Sequence, residues 1–434
     1  MINSEASIAH VSPIWPHLLR TTITRGEGAY IWDDAGRRYL DFTSGIGVTN
    51  TGHCHPRVVR AICEQASRIL HLQANTAYHE PMLRLINVLR EVVPSELNSF
   101  FFSNSGAEAI EATVKLARHS TGRPNIIAFQ RSFHGRTIGT MSLDSSKTIY
   151  RAGFQPLMPG VFFSPYAYCY RCPVLEFSKE KKVPCEDCTW PLEQLRFLLK
   201  SQTAPEETAA ILVEPVIGEG GYIVPPAKFL QGLRQICDEY GFLLILDEIQ
   251  TGFGRTGRFF ALEHFGIIPD ILVMSKAIAS GLPLSGIVAR KELMARWKVN
   301  SHGGTYGGNA VACAAGEATV RVLKEEKLVE NSARLGEKLL SQLNSFKDRF
   351  QSIGDVRGLG LMVGVEFVVP GSRTPSREKA KAIQQACLEK GLLLLTCGTD
   401  DNVVRWIPPL IINDHDLDEA LGIFVQALES TAHK

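Results

Sequence analysis

GFLLILDEIQTGFGRTGRFF (residues 241–260) and, shortly after it, PDILVMSKAIASGLPLSG (269–286) decide how this chain is built. The run 242–246 is apolar without a break and stops at Asp247 and Glu248. An uninterrupted apolar run of strand length reads as a parallel strand buried on both faces, delivering carboxylates at its carboxyl end. The run 271–274 repeats the pattern and stops at Ser275 and Lys276. An acid and an amine thus stand at neighbouring strand ends, where open α/β sheets place their ligands. A lysine followed by small residues and glycine in apolar surroundings suits Schiff-base chemistry, because desolvation favours its neutral, nucleophilic amine. Asp247 is then placed to keep a pyridine nitrogen protonated. Alone, the Asp reads as a cap and the Lys as a solvated side chain; together, in this setting, they point to a site.

Bulk properties bound the rest. At 434 residues the chain has room for two or three domains and a sizeable core. Its 46 basic and 45 acidic residues give a net charge of +1, which predicts no nucleic acid, membrane or polyanionic partner. The N-terminal stretch lacks a basic segment leading into an apolar core, and no run approaches a bilayer-spanning length, so the expectation is a soluble cytoplasmic protein. Four of the ten cysteines fall in one short insert and the others are scattered, unlike a secreted disulfide scaffold.

Further along the chain, IWDDAGRRYLDF (31–42) reads as a hairpin running into the glycine-rich DFTSGIGVTNTGHCHP (41–56). A strand over 99–102, the turn SNSG and an amphipathic helix through Arg118 make a phosphate-site recipe, with Ser105, Gly106 and Ala107 as the cradle. The strand 125–129 ends in QRSFHGRT (130–137), where Phe133 can stack on a planar ring and Arg136 can hold a carboxylate. The strand 209–213 ends in EPVIGEGG (214–221). Between Tyr166 and Leu192, Cys169-x-x-Cys172 and Cys185-x-x-Cys188 are separated by twelve residues. That spacing matches a closed four-thiolate site, zinc first and an iron–sulfur cluster second, with reduced thiols or a disulfide as the bland alternative. A long helix from about Val311 leads into a C-terminal segment of βαβ-like rhythm, closing with a helix from about Asp414.

The series Asp247-Glu248-Ile249-Gln250, Gly252-Phe253-Gly254-Arg255-Thr256-Gly257, Pro269-Asp270 and Ser275-Lys276-Ala277 running on to Gly281 resembles the class III aminotransferases, pyridoxal-phosphate (PLP) enzymes of fold type I. The resemblance extends from about Asp41 to Pro409. It implies an α/β fold: a large domain (56–315) with a mostly parallel central sheet flanked by helices, plus a smaller α+β domain built from residues 1–55 and 316–434. Lys276 would carry the cofactor and shuttle protons. Phe133 and Ile249 would flank the ring, Gln250 would lie near its phenolic oxygen, and His134 would assist. Ile46 would line the substrate side and Arg136 would take a substrate carboxylate. Thr305, in SHGGTYGGNAVACAA, would reach the phosphate of a neighbouring subunit, making the site complete only in a homodimer; pairing of dimers into tetramers stays open.

The arrangement is similar to that of 4-aminobutyrate aminotransferases using 2-oxoglutarate as acceptor. There Glu214 would pair with Arg405 and release it when an α-carboxylate arrives. Acetylornithine, ornithine and broad ω-amine aminotransferases share the constellation, and a PLP-dependent racemase or aminomutase would use the same lysine. The cysteine insert departs from the family, whose chemistry needs no metal, so a metal there would be structural. A metal-dependent interaction or redox module is the remaining class.

Overall fold

The computed structural model of the chain describes residues 7–174 and 188–432, and among these the apolar runs gather into the largest of three sheets. Near the N-terminus β1 (Ile23–Glu27), β2 (Tyr30–Asp33) and β3 (Arg38–Asp41) form an antiparallel meander. The central sheet comprises β4 (Ser99–Ser103), β5 (Asn125–Phe129), β6 (Val161–Ser164), β7 (Thr208–Val213), β8 (Leu243–Asp247), β9 (Ile271–Met274) and β10 (Ser285–Ala289). Their order is β4-β10-β9-β8-β7-β5-β6. The pairs from β6 through β5, β7 and β8 to β9 are parallel, and β10 runs against both of its neighbours.

Strands β5, β7 and β9 are buried along their whole length, as helices covering both faces of a parallel sheet require. Strand β8 ends on Asp247, one residue past the apolar run, so the carboxylate is the last strand residue. Strands β6 and β10 escaped the sequence reading: SGIVA is short, with Ser and Gly in its first half, and gives no strong period.

The helix Gly106–Thr121 starts on a capping box between Ser105 and Glu108 and stops at Gly122, whose φ of 70° is the left-handed C-cap glycine tolerates. It buries Ile110, Thr113, Leu116 and Ala117. The last helix, Asp414–Ser430, begins at the expected residue and is capped by Asn413 in a box with Asp416.

The third sheet contains β11 (Ile353–Leu359) and β12 (Met362–Phe367). After them come β13 (Leu392–Leu393), which leaves this sheet to pair in parallel with β3, then β14 (Leu395–Cys397) and β15 (Val403–Trp406). The first sheet is therefore built from both ends of the chain.

One buried cation clamps these parts together. Arg255, 0% exposed, donates to Asn50 Oδ1 at 2.5 Å, to the Leu361 carbonyl at 3.0 Å and to the Pro408 carbonyl at 2.5 Å. Burial lowers its pKa to about 9. Among the described residues no helix is long and apolar enough to cross a membrane.

Candidate active site

Because β4, β5, β7, β8 and β9 all point the same way, their carboxyl ends meet along one edge of the sheet. There they deliver the turn before Gly106, the loop to Phe133, Glu214, Asp247 and Lys276. A cavity of about 540 Å³ opens at that edge. Gly106, Ala107, Phe133, His134, Asp247, Ile249, Gln250 and Lys276 line it, as do Ile46, Arg136, Glu214 and Arg405. Ser105 stands just outside the lining as the helix cap, its hydroxyl accepting from the Glu108 N–H at 3.2 Å. Thr305 lies on the surface and takes no part in lining its own chain's cavity.

Lys276 sits one residue beyond Ser275, which follows β9, and has φ at +47°, a left-handed conformation that a side-chain-bearing residue holds only when the surrounding fold imposes it. Removal from water lowers the pKa of its amine, with the Asp247 and Glu214 charges opposing. The neutral amine is the nucleophilic form.

Asp247 is held from two sides. Its Oδ2 contacts His134 Nδ1 at 2.7 Å, and its Oδ1 accepts the Ile249 N–H at 3.0 Å. His134 thus braces Asp247. Burial opposes its charged form, but the Asp247 hydrogen bond and the charges of Asp247, Glu214 and Asp144 outweigh burial and raise its pKa. Asp144 accepts the His134 N–H at 2.5 Å, and burial pushes its pKa up to about 7. Glu214 is likewise pushed up to about 7, first by burial.

The expected pairing of Glu214 with Arg405 is not what the fold makes. Glu214 Oε1 accepts the Phe133 N–H at 2.9 Å and its Oε2 accepts the Gly218 N–H at 2.8 Å, which turns this carboxylate toward the backbone. Five residues on, the turn through Gly218 brings Glu219 Oε2 to Arg405 Nη1 at 2.8 Å. Glu219 is the residue the sequence reading missed. Its signal was the second glutamate of EPVIGEGG, set among glycines that let the chain reverse. Tyr150, also missed, lines the cavity, meets Phe133 edge-on at 5.4 Å and lies under the Arg136 guanidinium at 4.4 Å. Among the described residues Arg136 has no carboxylate partner, so its charge is open to a ligand.

A model of the class III aminotransferase family matches residues 12–428. The chain belongs to the class III aminotransferases. A probable 4-aminobutyrate aminotransferase of Bacillus subtilis (strain 168) is 40% identical over 413 residues, covering 95% of this chain and 93% of that one. A 5-aminovalerate aminotransferase of Pseudomonas aeruginosa is 40% identical over 94% of this chain and 93% of that one. Among solved structures, a transaminase from the marine bacterium Virgibacillus superposes with a TM-score of 0.89 at 30% identity, covering 99% of this chain and 98% of that one.

The cofactor expected of this family, pyridoxal 5′-phosphate, fits the residues present. The start of a 16-residue helix, where the first N–H groups have no intrahelical partner, lines the cavity at Gly106 and Ala107, a ready anion cradle. A Cβ on Gly106 would come within 2.9 Å of Ile249 Cδ1, so glycine keeps the cradle open. Gln250 Oε1 is buried without a protein partner beside the same space. When bound, the cofactor supplies an electron sink for breaking a bond at the amine-bearing carbon. The chain would contribute the rest: Asp247 presents a carboxylate fixed by His134, Lys276 would supply the amine that binds and moves protons, and Phe133 and Ile249 wall the space.

The cysteine insert is a different matter. Cys169–Arg171 form a 3₁₀ turn, Cys172 and Cys188 are buried, and Cys185 lies outside the described residues. A hydrogen bond from Cys188 draws the Cys169 pKa below the ordinary thiol value. Among the described residues no group of three or more His, Cys, Asp or Glu side chains could hold a metal, so zinc and iron–sulfur find no support there.

Proposed function

We propose that this class III aminotransferase moves the amino group of an ω-amino acid, 4-aminobutyrate first among them, to 2-oxoglutarate, giving the semialdehyde and glutamate. The observation that supports this reading is the Glu219–Arg405 ion pair on the cavity wall, opposite in role to the unpaired Arg136. An ω-amino acid brings only a distal carboxylate, which Arg136 takes. Glu219 meanwhile neutralises Arg405, which would otherwise face the substrate as a bare buried charge. A dicarboxylic oxo acid brings a second carboxylate, and Arg405 exchanges Glu219 for it in a bidentate contact. Two relatives named for ω-amino donors, 4-aminobutyrate and 5-aminovalerate, agree with this reading. Thr305 of each chain completes the neighbouring chain's phosphate site in a homodimer.

The test is spectroscopic. Purified holoenzyme mixed with 4-aminobutyrate and no oxo acid should convert to the pyridoxamine form and return on adding 2-oxoglutarate. A spectrum that ignores 4-aminobutyrate yet responds to ornithine, N-acetylornithine or an α-amino acid overturns the donor assignment. Turnover of an amino acid with no oxo-acid requirement would mark a racemase instead.

A further inference from the structure

Glu219 has two oxygens, and the fold treats them differently. Oε2 faces Arg405 Nη1 at 2.8 Å. Oε1 accepts from the Tyr150 hydroxyl at 2.8 Å and from Lys147 Nζ at 3.3 Å. Lys147 in turn contacts Asp401 Oδ1 at 2.5 Å, and Asp401 sits in the turn leading to the strand that carries Arg405. The backbone joins the same parts, since the Gly398 N–H donates to the Glu219 carbonyl at 2.9 Å. The side chains of Lys147, Glu219 and Arg405 are 13%, 15% and 6% exposed, so the group is largely out of water.

A carboxylate that must leave its arginine in such a place needs another cation, or the departure strands a buried charge. We propose that Lys147 and Tyr150 form a standing anchor on Glu219 Oε1, about which Glu219 swings off Arg405 when the α-carboxylate of a dicarboxylic oxo acid arrives. On this basis the anchor sets the preference for a dicarboxylic amino acceptor. Lys147 and Tyr150 are specificity-determining residues that act through Glu219. The inference rests on the exchange at Arg405 proposed above, and the experiment separates the two.

The two half-reactions of the holoenzyme are followed separately by stopped-flow absorbance, one with 4-aminobutyrate and one with 2-oxoglutarate. Lys147→Met should lower kcat/KM for 2-oxoglutarate by at least about tenfold, mainly through KM, and that for 4-aminobutyrate by less than about threefold. Binding of glutarate, an unreactive dicarboxylate, should weaken about tenfold in parallel. Lys147→Arg, which keeps the charge, should recover most of the loss. Tyr150→Phe should shift the ratio in the same direction by a smaller factor, and it carries the test if Lys147→Met does not fold. Glu219→Gln leaves nothing to anchor: it should shift the ratio the other way, and adding Lys147→Met to it should change the ratio less than about threefold.

If Glu219→Gln leaves the ratio unmoved, the exchange at Arg405 is wrong and the anchor falls with it. If Glu219→Gln moves the ratio but Lys147→Met and Tyr150→Phe do not, or if they slow both half-reactions equally, the exchange stands and the anchor is overturned.

Discussion

Replacing Glu214 by glutamine should favour the folded state increasingly as the pH rises, and the swing can be sized. Glu214 follows β7 at once, and burial is the main reason its pKa rises from 4.5 to about 7; His134 and the N–H groups of Gly218 and Phe133 oppose the rise, and the Asp247 charge adds to it. The folded value therefore lies above the unfolded one. Over pH 4.5 to about 7 the native chain keeps this proton while the unfolded chain releases it. Its stabilising contribution is complete below that window and declines through it, by ~3 kcal/mol in all at about 1.4 kcal/mol per pH unit. Glutamine cannot ionise and lacks the decline. Like the protonated acid it offers one strong acceptor, and because it does not titrate its own contribution stays constant across the window. Denaturant midpoints of the two chains, at one fixed protein concentration, should show the gap moving by ~2–3 kcal/mol toward the variant between about pH 5 and about pH 8. Parallel curves, with a gap constant to within ~1 kcal/mol, would refute the placement of a buried proton on Glu214.

Other substitutions probe the cradle, the carboxylate support and the clamp. Gly106→Ala pushes a methyl to within 2.9 Å of Ile249 Cδ1, so cofactor titration should show affinity falling about tenfold while folding stability changes by less than ~1 kcal/mol. His134→Ala removes the 2.7 Å contact to Asp247 and should weaken cofactor binding by ~1.5–3 kcal/mol, with His134→Gln recovering part; an unchanged dissociation constant sinks the supporting role. Arg255→Met leaves the Asn50, Leu361 and Pro408 oxygens without their donor and should lower stability by ~3 kcal/mol or more in denaturant melts, with the cofactor contacts intact.

What the sequence made legible follows from burial. The runs 242–246 and 271–274 announced β8 and β9 because a strand covered on both faces must be apolar throughout, and the polar residue ending each run then marks the sheet edge. That logic also located Phe133, Gly106 and Lys276, which the structure brings to one cavity. It could not choose between Glu214 and Glu219. Both follow β7 within a few residues, and only the path of the turn through Gly218 determines which reaches Arg405. Tyr150 was illegible for a similar reason: it lies in a three-residue 3₁₀ segment, Thr148–Tyr150, with no periodicity to expose its facing. Strand β10 was hidden because an antiparallel strand inserted between β4 and β9 leaves no sign in its own five residues.

The sharing of the first sheet between the two ends of the chain sets an order of events during synthesis. Strand β3 gains its outer neighbour only when Leu392 and Leu393 have been made, and the Tyr30 hydroxyl waits across 386 positions for Asp416, 2.6 Å away. Until then the N-terminal meander has an open edge and an uncovered face, while the central sheet already has all its strands. A nascent chain is therefore a finished sheet trailing an unfinished one, and closure of the smaller sheet is a slow, long-range step. A ribosome stalled before residue 392 would hold a chain with its PLP cradle strands complete and β3 still unpaired on one side.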